Sequence, residues 1–308
     1  MARPALSASR TMDIFDLFTA FPARAFTMSE IMRASNINVA SCHAILSALS
    51  SRGYLLRRGK RYVLGSALIA VGQAASLAQP LTARAQAAAY QLNEELGVAV
   101  VLSTLAGDEI LALTALTGRE GLATSLHTGQ RMPLIPPAGA HFIAWARDAA
   151  VDAWIERAGT DDQDEIAEWR RALELIRARG YQVTLRASPT RAFAELMAQM
   201  AAGSPPLEYR TEAKRLIADH GWKLAQPETI EPNSRYEAVL IAAPIFDKTG
   251  DAYLSLGLGG FPEPLSGVRI NTLAEQLMET CLRVMHEARS DDRPLLQSSL
   301  RSTTAAGS

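Results

Sequence analysis

Residues 38–65 read NVASCHAILSALSSRGYLLRRGKRYVLG. An apolar-patterned run ends near a glycine, and two short extended runs follow, folded about Arg58-Gly59-Lys60. Unrolled at about 100° per residue, a helix over 39–51 puts Val39, Cys42, Ile45, Leu46 and Leu49 on one side. The other side shows Ala40, Ala44, Ser47 and Ser51, with Ser41 and His43 on the flanks. Gly53 stands where helices end on a left-handed residue. The pattern predicts a helix with a core-facing side and a small, uncharged outer side. A β-hairpin bearing Arg57, Arg58, Lys60 and Arg61 follows it.

Upstream, Ile14, Leu17, Phe18 and Phe21 recur at helical spacing and predict an amphipathic helix over 8–20, stopped by Pro22. Thr27 and Glu30 stand at capping-box spacing and open a second short helix with Met28, Ile31 and Met32 inward. The polar turn 35–38 leads into the third helix. Helices, tight turn and basic hairpin together make a winged helix-turn-helix. Affinity for duplex DNA comes largely from neutralised phosphates, and specificity from base edges. The four hairpin cations suit phosphates. Ala40, Ala44 and Ser47, with Asn38, Ser41 and His43 beside them, form a face small enough to approach bases, His43 fitting a helix-packing role at the DNA margin equally well. Taken alone such a charge cluster also fits a solvated loop; behind a helix-turn-helix it reads as a DNA-binding wing.

The chain has 308 residues, 48% hydrophobic and 20% charged, which suits an ordinary globular protein of two domains. Its net charge of −1 hides an asymmetry. Residues 1–66 hold nine Lys/Arg against three Asp/Glu, and the remainder is acidic. That division fits a small domain for an anionic partner joined to a larger one without that role. Cys42 and Cys281 sit at apolar helix positions and are expected as buried free thiols. No signal peptide and no apolar run of about 18 residues is visible, so a cytoplasmic protein without membrane contact is expected.

Beyond the wing, Leu64, Leu68, Val71 and Ala75 follow helical spacing, with Ser66 as the expected N-cap and Pro80 as the break. That stripe fits intramolecular packing and dimerisation equally. A helix closed by Gly97 follows. The pattern then switches to strands: a hairpin about 106–109, a strand at 122–127, a strand at 181–185, and two late strands at 238–246 and 252–258. Helices are expected at 138–147, 151–158, 164–179 and 267–288. Helices mixed with mostly antiparallel strands predict an α+β sensor-type domain.

The order of these signals resembles the IclR family of bacterial transcription regulators. The resemblance rests on SRTMDIFDLF, TMSEIMRASNINVASCHAILSALSSRGYL and RYVLGSALIAVG in the first half. In the second half it rests on TGQRMPLIPPAGAHFIAW, IRARGYQV and AAPIFDKTGDAYLSLGLGGFPEPLSG. It implies a winged helix-turn-helix over 1–65, a linker helix over 66–79 and a GAF-like α/β effector-binding domain over 80–289. Residues 187–220 exceed the usual family length and are expected as an insertion, and 290–308 as a disordered tail. The resemblance further implies a dimer or tetramer that binds double-stranded operator DNA and a small-molecule effector. Ala44 stands where the family commonly has an arginine.

The resemblance places an effector carboxylate on the backbone amides of Ala138 and Gly139, at the expected helix start. An ordinary turn between strand and helix is the other reading there. Leu240, Gly257 and Gly259 stand where the family pattern has a cysteine and two serines. Their lack of polar groups implies a roomier, more apolar pocket and an effector with an aromatic or apolar body. Phe142 and Trp145 either line that pocket or pack. No G-x-S-x-G, H-E-x-x-H, P-loop or paired-cysteine zinc spacing occurs. His43, His127, His141, His220 and His286 are scattered, so neither catalysis nor a cofactor or metal is expected. The competing reading is a GAF-like sensor or enzyme whose N-terminal helices serve only for oligomerisation; an Arg/Lys hairpin is not needed for that.

Overall fold

The computed structural model describes residues 5–119, 126–185 and 226–291. Helix α1 spans Leu6–Ala20, α2 Met28–Ala34 and α3 Val39–Ser51. The expected capping box is present: Thr27 Oγ1 accepts the Glu30 amide at 3.3 Å, and Glu30 accepts the Thr27 amide at 2.7 Å. The bond from the Thr27 amide, followed by one from the Thr27 hydroxyl at 2.8 Å, holds the Glu30 carboxyl down at about 2. Strands β2 (Leu55–Arg58) and β3 (Arg61–Leu64) form the hairpin, with Gly59 at φ 63° in its turn. A short strand, β1 (Phe26–Thr27), adds to β3 and makes a three-stranded sheet that the sequence did not announce.

Ile14, Leu17, Phe18, Ile31, Cys42, Leu46 and Leu55 close one core around these elements. Val39, expected in it, is 58% exposed; the buried side of α3 begins at Cys42. Helix α4 (Ala67–Ala78) follows. Ser66 makes no side-chain cap bond, since its own backbone is already helical (φ −65°, ψ −20°). Helix α5 (Pro80–Leu96) ends on Gly97 at φ 67°.

The second unit is built on a six-stranded antiparallel sheet. Its strands are β4 (Ala99–Ala106), β5 (Glu109–Leu116), β6 (Arg131–Pro133), β7 (Gln182–Leu185), β9 (Ala238–Phe246) and β10 (Ala252–Gly259), in the order β6-β5-β4-β10-β9-β7. Two short strands, β8 (Arg235–Tyr236) and β11 (Leu265–Ser266), pair separately. Alternation sorts side chains to the two faces. Val100, Leu102, Ile241, Leu254, Leu256 and Leu258 pack under α5 and the final helix α9 (Gly267–Asp291). The opposite face is covered by α6 (Ala140–Ile143), α7 (Asp148–Glu156) and α8 (Gln163–Arg179), whose core includes Phe142, Trp154, Trp169, Leu173 and Ile176.

Two further expectations change. The helix expected over 138–147 is only the four-residue α6, because Gly139 at φ 79° precedes it and a second turn separates it from α7. Helix α9 continues to Asp291, into the expected tail. The remainder of that tail, the insertion at 187–220, His220, and most of the strand at 122–127 lie outside the described residues. Both cysteines are buried and free. Among the described residues no helix is long and apolar enough to cross a membrane.

Candidate functional site

Two regions gather the residues singled out by the sequence. On α3, Ala40, His43, Ala44, Ser47 and Ser51 are exposed on one side, while Cys42, Leu46 and Leu49 are buried on the other. Asn38 is the N-cap, its side chain accepting the Ser41 amide at 2.9 Å, so its oxygen is committed to the helix. Ser41 Oγ accepts from Arg10 Nη1 at 3.2 Å. This brings a guanidinium from α1 to the flank of α3, a placement that sequence spacing could not give.

The wing cations divide. Arg57 Nε donates to the Gly59 carbonyl at 2.9 Å and stiffens the turn. Arg61 donates to the Ala25 carbonyl at 2.8 Å and lies 3.5 Å from Glu30, tying the hairpin to the start of α2. Arg58 and Lys60 are exposed and have no acidic partner among the described residues. They are the cations left for an anionic ligand.

The second region is a cavity of about 140 Å³ on the α6 side of the large sheet. It is lined by Val101 and Ser103 of β4, Ser255 and Gly257 of β10, Leu240 and Ala242 of β9, Gln182 and Thr184 of β7, and the turn from Met132 to His141. Ala138, Gly139, Leu240 and Gly257 therefore do come together. Gly259 pairs with Ala99 and Leu240 at the strand end and is not part of the lining. Phe142 is core, and Trp145 packs edge-on against Phe246 at 5.4 Å. At Gly257 an added Cβ would stand 2.9 Å from Leu240 and 3.0 Å from Val101, so a side chain there would displace both and intrude on the cavity they line.

The turn over the cavity is pinned by its main chain. Leu134 donates to the Asp108 carbonyl at 2.9 Å, and the Trp154 indole donates to the Ala138 carbonyl at 3.0 Å. The Ala138 amide is already donated to the Ile135 carbonyl at 2.8 Å. Of the two amides expected to face an anion, only that of Gly139 has no acceptor among the described residues. A side chain at Gly139 would be strained by its φ of 79° and would have to displace the end of the Leu134 side chain, which an added Cβ would meet at 2.2 Å.

The cavity is also more polar than the residue pattern implied. Ser255, two residues from Gly257 on the same face of β10, is opposite Ser103 in register. The signal was present as alternation, but only the strand pairing puts the two serines side by side. Gln182 accepts from the His141 amide at 3.0 Å and lies 2.9 Å from His141 Nδ1. Its Nε2 donates to Thr184 at 2.8 Å. Burial lowers the His141 pKa to about 4, against the hydrogen bond to Gln182, which raises it.

Known families and structures agree with this architecture. A model of the IclR helix-turn-helix domain matches residues 7–59. A model of the bacterial transcriptional regulator IclR C-terminal domain matches residues 73–186, and the two matches together span more than half the chain. No curated protein matches the sequence. The structure is similar to that of an IclR transcriptional regulator from Alicyclobacillus acidocaldarius, at 18% identity and TM-score 0.65, covering 92% of this chain and 99% of that one. It is similar to an IclR homolog from Microbacterium hydrocarbonoxydans complexed with 4-hydroxybenzoate, at 18% identity and TM-score 0.61, with 92% and 99% covered. It is also similar to HmgR of Pseudomonas aeruginosa, at 17% identity and TM-score 0.60, with 92% and 97% covered. At these identities the likeness is one of fold.

The buried imidazole makes stability depend on pH. Folded, His141 stays neutral down to about 4; unfolded, it takes a proton near 6.5. Over that window the unfolded chain binds the extra proton, so stability falls with falling pH by about 1.4 kcal/mol per unit. Urea titrations across the window should show this loss, and His141→Leu should remove this contribution to the slope. An equal slope in both proteins contradicts the assignment.

Proposed function

This chain belongs to the IclR family of bacterial transcription regulators, and we propose that it binds operator DNA as a dimer or dimer of dimers in the cytoplasm and answers to an organic acid with an aromatic or apolar body. The observation that carries the ligand reading is the cavity. Its volume of about 140 Å³ is close to the ~150 Å³ of an apolar cavity known to take up benzene. One aromatic ring is thus the right size. Val101, Ile110, Met132, Leu240 and Ala242 supply apolar contact, and the Gly139 amide is the donor available to a carboxylate. The Microbacterium homolog's 4-hydroxybenzoate, a single-ring acid, supports the same class.

The DNA reading is supported by the exposed small face of α3 beside Arg10 and by the unpaired wing cations Arg58 and Lys60. A route from cavity to DNA-binding unit is also available. Met132 lines the cavity, and its neighbour Arg131 reaches Asp16 on α1 at 3.3 Å and Glu109 at 3.4 Å. Repacking around Met132 would move a residue ion-paired to the DNA-binding unit.

Replacing Arg58 and Lys60 by Ala should weaken binding to every DNA sequence. It should flatten the log–log salt dependence by about one unit per lost phosphate contact. Arg61→Ala should flatten it less, because Arg61 is engaged with Ala25 and Glu30. Salt titrations followed by fluorescence anisotropy measure both; an unchanged slope in the double variant rules out phosphate contacts by these cations.

Dimerisation through α4 is supported by a helix with no buried residue, on which Ile69 is 64% and Leu77 85% exposed. Such apolar area, left to water, favours a second copy. Sedimentation should give a dimer or tetramer at micromolar concentration, shifted toward monomer by Ile69→Asp with Leu77→Asp. A wild-type monomer that still binds operator tightly contradicts the proposal.

A further inference from the structure

We infer that the cavity reads a hydroxyl group on its ligand, presenting a bare acceptor at His141 Nε2 and a donor at the Thr184 hydroxyl. The inference rests on the cavity being the effector site, and it names a specificity that the carboxylate reading does not contain.

The argument starts from a group whose polarity cannot change. The His141 main-chain N–H can only donate, and it meets the side chain of Gln182 at 3.0 Å. An amide turned the other way would set NH₂ against N–H, so the Gln182 oxygen must face His141. That same oxygen lies 2.9 Å from His141 Nδ1. An acceptor there requires the imidazole hydrogen on Nδ1. A neutral imidazole has one such hydrogen, so Nε2 is left as a lone pair. The burial that lowers the His141 pKa to about 4 keeps the ring neutral at physiological pH.

The other end of Gln182 is fixed by the same step. Its Nε2 donates to Thr184 Oγ1 at 2.8 Å. Thr184 accepts there, and its own hydrogen is free to be given elsewhere. Among the described residues no group takes that hydrogen, and none meets His141 Nε2. Both residues line the cavity. Gln182 and His141 are both buried as residues, at 3% and 7% exposed, so their hydrogen-bond pattern is held in place by packing. A phenolic or alcoholic hydroxyl donates to one group and accepts from the other. A methyl ether can only accept, and it adds a methyl group to a cavity of about 140 Å³.

Two measurements test this. Long-range ¹H–¹⁵N spectra of the ligand-free chain at neutral pH should show the His141 hydrogen on Nδ1 and a bare Nε2, assigned by its loss in His141→Leu. A hydrogen on Nε2, or on both nitrogens, overturns the inference whatever the ligand. Calorimetry with the three hydroxybenzoates and their methyl ethers, benzoate, phenol and anisole then reads the preference. At least one hydroxyl compound should bind about tenfold tighter than its methyl ether, the cost of one lost hydrogen bond and one unmet acceptor. Thr184→Val should shrink that ratio several-fold. Gln182→Glu should collapse or invert it, because a carboxylate accepts at both ends and charges the imidazole. Binding of phenol over anisole without binding of any benzoate would sink the organic-acid reading and leave the hydroxyl reading standing. Equal binding within each pair, with benzoate bound, would do the reverse. No binding of any probe at millimolar concentration would overturn both.

Discussion

A single buried main-chain N–H, that of His141, sets the terms for the second domain. Like any helix, the four-residue α6 leaves its first amides without a partner inside it, so that of His141 must find an acceptor elsewhere. Gln182 supplies one from across the sheet, and the bond ties β7 to the turn that roofs the cavity. Trp154 holds the neighbouring carbonyl of Ala138, and Arg177 holds that of Ala144, so α7 and α8 are keyed to the same few residues. Gly139 suits this turn because the chain passes through positive φ there and Leu134 crowds the place where a Cβ would stand. The cavity is the space left between this pinned turn and the small side chains of β9 and β10.

The sheet separates two tasks by alternation alone. Leu254, Leu256 and Leu258 hold α5 and α9, while Ser255 and Gly257 between them open onto the cavity. The same division holds on β4, with Leu102 inward to the helices and Val101 and Ser103 toward the cavity, and on β7, with Val183 against Gln182 and Thr184. The hydrophobic core and the cavity lining therefore draw on different residues of the same strands, so the cavity face can vary while the core stays whole. Arg131 carries the cavity edge to α1 through Asp16, so the structure joins a ligand-sized space to the basic, DNA-facing unit by one ion-paired side chain.

How much of this the sequence disclosed follows the range of the signals. The capping box of Thr27 and Glu30, the ends at Gly53 and Gly97 and the turn at Gly59 are all local, and each lies where the residue pattern put it. Strand β1 escaped notice because two residues have no period, and it exists only through pairing with β3. The helix expected at 138–147 is shorter in the structure, since apolar residues at helical spacing carry no sign of the left-handed Gly139. Arg61 looked like its neighbours until the fold set it beside Glu30 and Ala25. The polar end of the cavity was hidden for the same reason: Ser103, Ser255, His141, Gln182 and Thr184 come from four separate segments, and only register and packing bring them together.

Occupancy of this one cavity should alter the affinity of α3 and the wing for DNA. The direct measurement is an anisotropy titration of labelled operator DNA with wild-type protein and with Gly257→Leu, each with and without a saturating aromatic acid. The leucine would fill the space that Leu240 and Val101 border. The acid should change the wild-type Kd by about fivefold or more, a usual size for coupling between sites, and leave the variant's Kd, itself close to that of ligand-free wild type, unmoved. The same response to the acid in both proteins would contradict the account.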